Sequence, residues 1–167
     1  KDMIVFHDST LNDEDIFYRI TIDGGQTWSQ REVLVGGEHS QKNARVIKDT
    51  TDKYWLFFED EEATSFDSIT QYDINYITST DFGITWSPRQ KFTSYKGIDK
   101  SFSLSTWNGK PVLSFTSSRS ASSISSKLQI YYGVGGETLD TNGPPFLFYY
   151  IVQPEFINAS DPVTFRA

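Results

Sequence analysis

The sequence predicts an all-β protein built from copies of one four-stranded unit. Three observations carry that prediction. The turn Thr21-Ile-Asp-Gly-Gly-Gln-Thr-Trp28 returns further along the chain as Ser79-Thr-Asp-Phe-Gly-Ile-Thr-Trp86, so each copy reads Ser/Thr-x-Asp-x-Gly-x-Thr-Trp. Such repetition marks an array of supersecondary units. Short apolar runs rich in Val, Ile, Phe, Tyr and Thr, bounded by Gly, Asn, Asp and Ser, recur in register with the turns, which is the pattern of strands. No stretch sustains a helical period.

Taken in order, the runs fall into four types, named a to d from the inside outward. Type a covers Asn43 to Lys48 and Ser101 to Thr106. Type b covers Met3 to His7, Tyr54 to Glu59 and Pro111 to Thr116. Type c, which leads into the turns, covers Ile16 to Ile22, Asp73 to Ser79 and Leu128 to Val134. Type d follows the turns at Gln30 to Val35, Pro88 to Thr93 and Phe146 to Ile151. Four strands per repeat is the format of a β-propeller blade. The expected organisation is a single propeller segment over residues 1–167, with blade 1 at about 1–36, blade 2 at about 37–95, blade 3 at about 96–153 and a spare inner strand at about 160–166.

The repeated turn has a structural explanation. Asp23 and Asp81 can accept backbone N–H groups across a tight turn, while Gly25 and Gly83 supply backbone angles that a side chain forbids. Trp28 and Trp86 offer large apolar faces, each with an indole N–H that needs a partner. A catalytic acid at Asp23 or Asp81 is the functional alternative. Their place between strands c and d, on the rim opposite a propeller's usual site, argues for the structural role.

With these residues in hand, the two turns resemble Asp-boxes, the repeats of sialidases and related bacterial-neuraminidase-repeat β-propellers. The defining positions are Thr21, Asp23, Gly25, Thr27 and Trp28 in one copy and Ser79, Asp81, Gly83, Thr85 and Trp86 in the other. The third turn, residues 133–143, lacks the Asp and the Trp. The resemblance implies a carbohydrate-related function in a secreted or cell-surface setting. It also implies a ligand site at the channel mouth shared by the d-to-a and b-to-c loops.

Propellers use about four to eight blades, so three blades make an arc. The first blade opens on strand b, and Pro162-Val-Thr-Phe-Arg166 is a spare strand of type a. The expectation is half of a six-bladed ring completed by a second copy, a homodimer, with a fragment of a larger propeller as the alternative. The net charge of -7 argues against a nucleic-acid interface. Cysteine is absent and only two histidines occur, too few for a usual zinc set. No run has the length of a membrane-spanning helix, so membrane insertion is not expected.

Chemistry is sought at the mouth, because long loops on a rigid scaffold carry binding residues. Arg45 lies just inside a strand a, Arg119 in the Ser-rich stretch Ser117 to Ser126, Asp99 and Lys100 at the start of the third blade, and Asp161 at the spare strand. A guanidinium suits a carboxylate because its planar fork donates two parallel hydrogen bonds. Tyr72 and Tyr95 are the aromatic candidates for stacking on a sugar ring. Sialidases gather an arginine cluster, a carboxylate acid/base and a Tyr-Glu nucleophile pair at such a mouth. Here the Phe-Arg-Ile-Pro motif of typical sialidases does not occur, and no nucleophile pair is assignable. The expected function is therefore non-catalytic binding of a glycan or small anionic ligand, with a sialidase-type glycoside hydrolase as the alternative. The acidic run Glu59 to Glu62, with Asp67, offers oxygens for Ca²⁺, but its spacing matches no calcium loop. A solvated loop edge is the expected reading, with no metal and no cofactor.

Overall fold

The computed structural model describes residues 1–10, 13–62, 71–95, 97–118 and 129–136. Among them are ten strands and no helix: β1 (Asp2–Thr10), β2 (Asp13–Thr21), β3 (Glu32–Val35), β4 (Gln41–Lys48), β5 (Tyr54–Glu62), β6 (Gln71–Ser79), β7 (Gln90–Lys91), β8 (Asp99–Trp107), β9 (Lys110–Ser117) and β10 (Gln129–Val134). They form three antiparallel sheets in the orders β1-β2-β3, β4-β5-β6-β7 and β8-β9-β10, called here the first, middle and third sheets. Each strand falls on an expected run, and β4 and β8 are the two of type a. The runs expected at Phe146 to Ile151 and at 162–166 lie outside the described residues. Among the described residues, four strands therefore occur only in the middle sheet.

The outer strands are shorter than the sequence suggests. Pro88 has no N–H to give to a ladder, and the amides of Phe92 and Thr93 both donate to the carbonyl of Ile74 at 2.8 and 3.0 Å. Only Gln90 and Lys91 are left to pair, with Tyr76 and Asn75.

Strand β5 organises the core. Successive side chains of a strand point to opposite faces, and both faces of β5 are covered. Leu56 and Phe58 pack with Ile16, Val35 and Ile77, against the first sheet. Trp55 and Phe57 pack with Ile74, Phe92, Phe102, Leu113 and Phe115, against the third. The middle sheet is thus clasped between its neighbours, which is why Tyr54 to Phe58 is an unbroken apolar run instead of an alternating one. Phe92 stands edge-on to Phe57 and Phe115, with ring centroids 5.6 and 6.2 Å away, in the favoured aromatic geometry. Burying each such side chain contributes about 1.5–3 kcal/mol.

Both inner strands carry the same irregularity. The register of β4 on β5 shifts between Lys42 and Arg45, and that of β8 on β9 between Lys100 and Ser103. Asn43 and Ser101 sit inside these bulges with φ of 55° and 54°. Asparagine tolerates that left-handed conformation, and its amide also donates to Glu59 Oε1 at 2.6 Å.

The acidic run corrects an expectation. Glu59 to Glu62 is not a solvated loop edge, because β5 continues through it. Glu59 and Asp60 are buried, at 5% and 3% exposure. Their charges are tolerated because donors surround them. Glu59 Oε1 also accepts the amide of Ser101 at 2.6 Å, which ties the middle sheet to β8.

Candidate functional site

The antiparallel registers define two rims. At one lie the end of β1 and start of β2, the end of β5 and start of β6, and the starts of β4 and β8. The repeated turns, after Thr21 and Ser79, lie at the other.

Each turn is a closed set of hydrogen bonds. Thr21 Oγ1 donates to Asp23 Oδ1 at 2.6 Å and accepts the amide of Gly25 at 2.9 Å. Asp23 accepts the Thr27 amide on Oδ1 at 2.9 Å and the Thr27 hydroxyl on Oδ2 at 2.6 Å. The second copy repeats every one of these contacts with Ser79, Asp81, Gly83 and Thr85. Its Asp81 also accepts the Ile84 amide at 3.1 Å. Gly25 and Gly83 have φ of 89° and 75°, the left-handed region that favours glycine. The two indoles differ. Trp28 donates to the carbonyl of Gly25 at 3.1 Å, whereas the N–H of Trp86, packed against the core, has no acceptor among the described residues.

At the opposite rim the first residues of β4, β6 and β8 converge. Lys42 and Lys100, separated in the chain just as Thr21 is from Ser79, hold their Nζ atoms 5.2 and 5.6 Å from the ring centroid of Tyr72. Tyr72 is fixed by its own backbone, whose amide donates to the carbonyl of Gly97 at 3.1 Å. Its hydroxyl lies 3.4 Å from Glu61 Oε2. Lys42 also approaches Glu14 at 3.4 Å, and His7 lies 3.8 Å from the other oxygen of that carboxylate.

A second polar group on this rim is buried. Asp60 receives the side-chain amides of Gln41, at 3.0 Å, and Asn75, while Arg89 donates to it at 2.7 Å. The other guanidinium nitrogen of Arg89 reaches the carbonyl of Gly36 at 3.1 Å, bridging the middle and first sheets. With every donor directed at its oxygens, Asp60 is built as a structural anchor.

The BNR/Asp-box repeat family matches residues 19–30 and 77–88. The chain carries two Asp-box repeats. No curated protein matches the chain.

The electrostatics of the Asp-boxes follow from their hydrogen bonds. Donors that favour the ionised form hold a carboxylate's pKa down. The hydroxyls of Thr21 and Thr27 and the Thr27 amide hold Asp23 far below the usual aspartate range. The Thr85 hydroxyl, the Thr85 amide and Ser79 lower Asp81 to about 2. A group so strongly committed to its anion cannot serve as a general acid near neutral pH. Asp73 behaves oppositely. Burial raises its pKa, and the hydrogen bond from Lys91 at 3.1 Å only partly offsets the rise.

Of the residues singled out from sequence, Tyr72 and Lys100 are brought together. Asp99 is at the same rim but fully buried and engaged. Tyr95 is half-buried beside Gly97 and engaged as well. Arg45 stands apart from the Tyr72 cluster. It is exposed on β4 between two grooves of about 310 and 330 Å³, donates to the carbonyl of Ala44 at 3.1 Å and forms no ion pair among the described residues. Arg119, Asp161 and Asp67 lie outside the described residues. Nothing local in the sequence singles out Lys42 or Arg89, and Glu14 and Asp60 stand out only as oxygens that a calcium ion could use. The repeat itself contained the signal for Lys42, which stands one repeat before Lys100. Among the described residues, no group of three His, Cys, Asp or Glu is placed to hold a metal ion.

Proposed function

We propose that the three sheets are blades of a β-propeller and that the rim opposite the Asp-boxes binds an acidic glycan, or a similar small anion, without turning it over. The observation that supports this is the convergence of Lys42 and Lys100 on Tyr72. Two ammonium groups from equivalent places in successive repeats meet at one aromatic ring, in a chain whose net charge is -7. A carboxylate or sulfate bridging the lysines would gain two charge-assisted hydrogen bonds, and the tyrosine offers an apolar surface for the attached sugar ring. Fold alone assigns no activity, so the reading rests on this cluster and on the kinship that Asp-box repeats have with carbohydrate-related proteins.

The test is titration calorimetry with sulfated and sialylated oligosaccharides beside their neutral counterparts. Selective binding of the acidic forms, lost in Lys42→Gln/Lys100→Gln, is the expected result. Equal binding of neutral and acidic sugars, or binding unchanged in the double variant, overturns the reading. Release of sialic acid from the bound oligosaccharide would make the protein a glycosidase instead.

A further inference from the structure

The inner strands run against the charge of the chain. Its net charge is -7, yet β4 carries Lys42, Arg45 and Lys48 with no acid among its residues, and β8 carries Lys100 with Asp99 as its one acid, fully buried. Lys48 is paired with Asp52 at 2.7 Å, and Lys42 is shared between Glu14 and Tyr72. Arg45 is not so committed. It is exposed, and among the described residues only one of its nitrogens is engaged, by the carbonyl of Ala44.

The bulges aim these groups. In a regular strand, residues three apart point to opposite faces. Here Lys42 lies opposite Glu59 and Arg45 opposite Phe57, only two places along β5, because β4 has one extra residue in the bulge. Directly paired residues share a face, so Lys42 and Arg45 project to the same side, about 7 Å apart along the strand. The bulge of β8 places Lys100 and Ser103 in the same way, opposite Thr116 and Ser114. For β4 that side faces the third sheet, where Phe57 packs with Phe102. Between the two inner strands runs the groove of about 330 Å³, lined by Arg45, Val46 and Ile47 of β4 and by Phe102, Ser103 and Leu104 of β8.

We propose that the rim site continues inward along this groove, and that its ligand is an oligosaccharide with at least two acidic groups, the first held by Lys42 and Lys100 and the second by Arg45. The inference rests on the rim reading and adds to it the charge pattern of the ligand. A guanidinium suits the second position because its planar fork donates two parallel hydrogen bonds to a carboxylate or sulfate. The distance from Lys42 to Arg45 exceeds the span of one such group, so a singly charged sugar uses the rim alone. Val46 and Leu104 give the intervening sugar ring an apolar wall, and the Ser103 hydroxyl adds a donor beside Arg45.

Titration calorimetry on the full chain tests this with two probes, a trisaccharide carrying one sulfate and the same trisaccharide carrying sulfates on two adjacent residues. The doubly sulfated form is expected to bind about tenfold to a hundredfold tighter, the worth of one further charge-assisted contact. Arg45→Gln is expected to remove that advantage. Arg45→Glu is expected to reverse it, so that the singly sulfated form binds better. Arg45 is exposed, so both variants are expected to keep the urea midpoint of the parent. An advantage that survives Arg45→Glu overturns this proposal and leaves the rim reading standing. So does binding of the singly sulfated form with no gain from the second sulfate. Failure of both forms to bind overturns the two together.

Discussion

Lys42 and Lys100 hold equivalent places in successive repeats, and their ammonium groups meet at one tyrosine ring, 5.2 and 5.6 Å from the centroid of Tyr72. Each contact of this kind contributes about 0.5–1 kcal/mol at an exposed site. Replacing Tyr72 by Leu is expected to cost about 1–2 kcal/mol in urea denaturation. Tyr72→Phe keeps the ring and is expected to stay within about 0.5 kcal/mol of the parent. A larger loss for Tyr72→Phe would transfer the weight to the hydroxyl and Glu61.

Glu14 competes for Lys42, at 3.4 Å. If an acidic glycan occupies the rim, Glu14→Gln frees that ammonium and removes a repelling charge. Binding is expected to tighten about threefold to tenfold at low salt and to converge on the parent as salt rises, because exposed charges are screened. Calorimetry at two ionic strengths reads the difference.

Ser79 is buried and serves both Asp81 and the buried amide of Gly83, 2.8 Å away. Ser79→Ala leaves that amide without its partner, for a loss of about 1–3 kcal/mol. Ser79→Thr restores the residue found at Thr21 and is expected to behave like the parent. Chemical denaturation of the pair separates the hydroxyl from side-chain size.

The Asp-boxes also tie stability to pH. Both carboxylates have lower pKa values folded than unfolded, so their stabilisation is complete above the ordinary aspartate value near 3.8. It is lost as pH falls, through about 2 for Asp81 and lower still for Asp23. Burial gives Asp73 the opposite sign, since its protonation relieves a cost that is present at neutral pH. Urea midpoints are expected to fall as the pH is lowered from about 5 to about 2. The fall should be shallower in Asp81→Asn.

Asp60 is 3% exposed and receives Gln41, Asn75 and Arg89. Asp60→Ala leaves a guanidinium and two amides without their acceptor, and breaking a buried ion pair from one side costs about 3–5 kcal/mol. Thermal unfolding of Asp60→Ala beside Arg89→Met is expected to show the larger loss in the latter, since Arg89 can reach water once Asp60 is gone, whereas Asp60 stays buried without its cation.

Much of this fold is legible in the sequence because local chemistry fixes it. Thr21, Asp23, Gly25 and Thr27 satisfy one another within a single short turn, which can be read without its surroundings. The period carries the strands as well. Contacts between distant residues were less legible. The acidic run of β5 looks solvent-loving until Arg89, 29 residues from Asp60, and Ser101, 42 residues from Glu59, are brought to it. Lys42 is hard to read for a related reason. Nothing local marks it, and only its counterpart in the next repeat reveals it.

The bulge at Asn43 decides which groups the rim displays. Past it, Lys42 lies opposite Glu59 and Gln41 opposite Asp60, whereas the register of Arg45 on Phe57, continued with every residue paired, would set Asn43 against Glu59 and Lys42 against Asp60. Straightening the bulge, with Asn43 kept and paired, would therefore turn the lysine away from Tyr72 into a recess already neutralised by Arg89, because a slip of one residue exchanges the two sides of a strand. One unpaired residue thus sets which side of the strand its outer end presents while leaving the hydrophobic framework alone, a route by which tandem arrays can vary their surface chemistry.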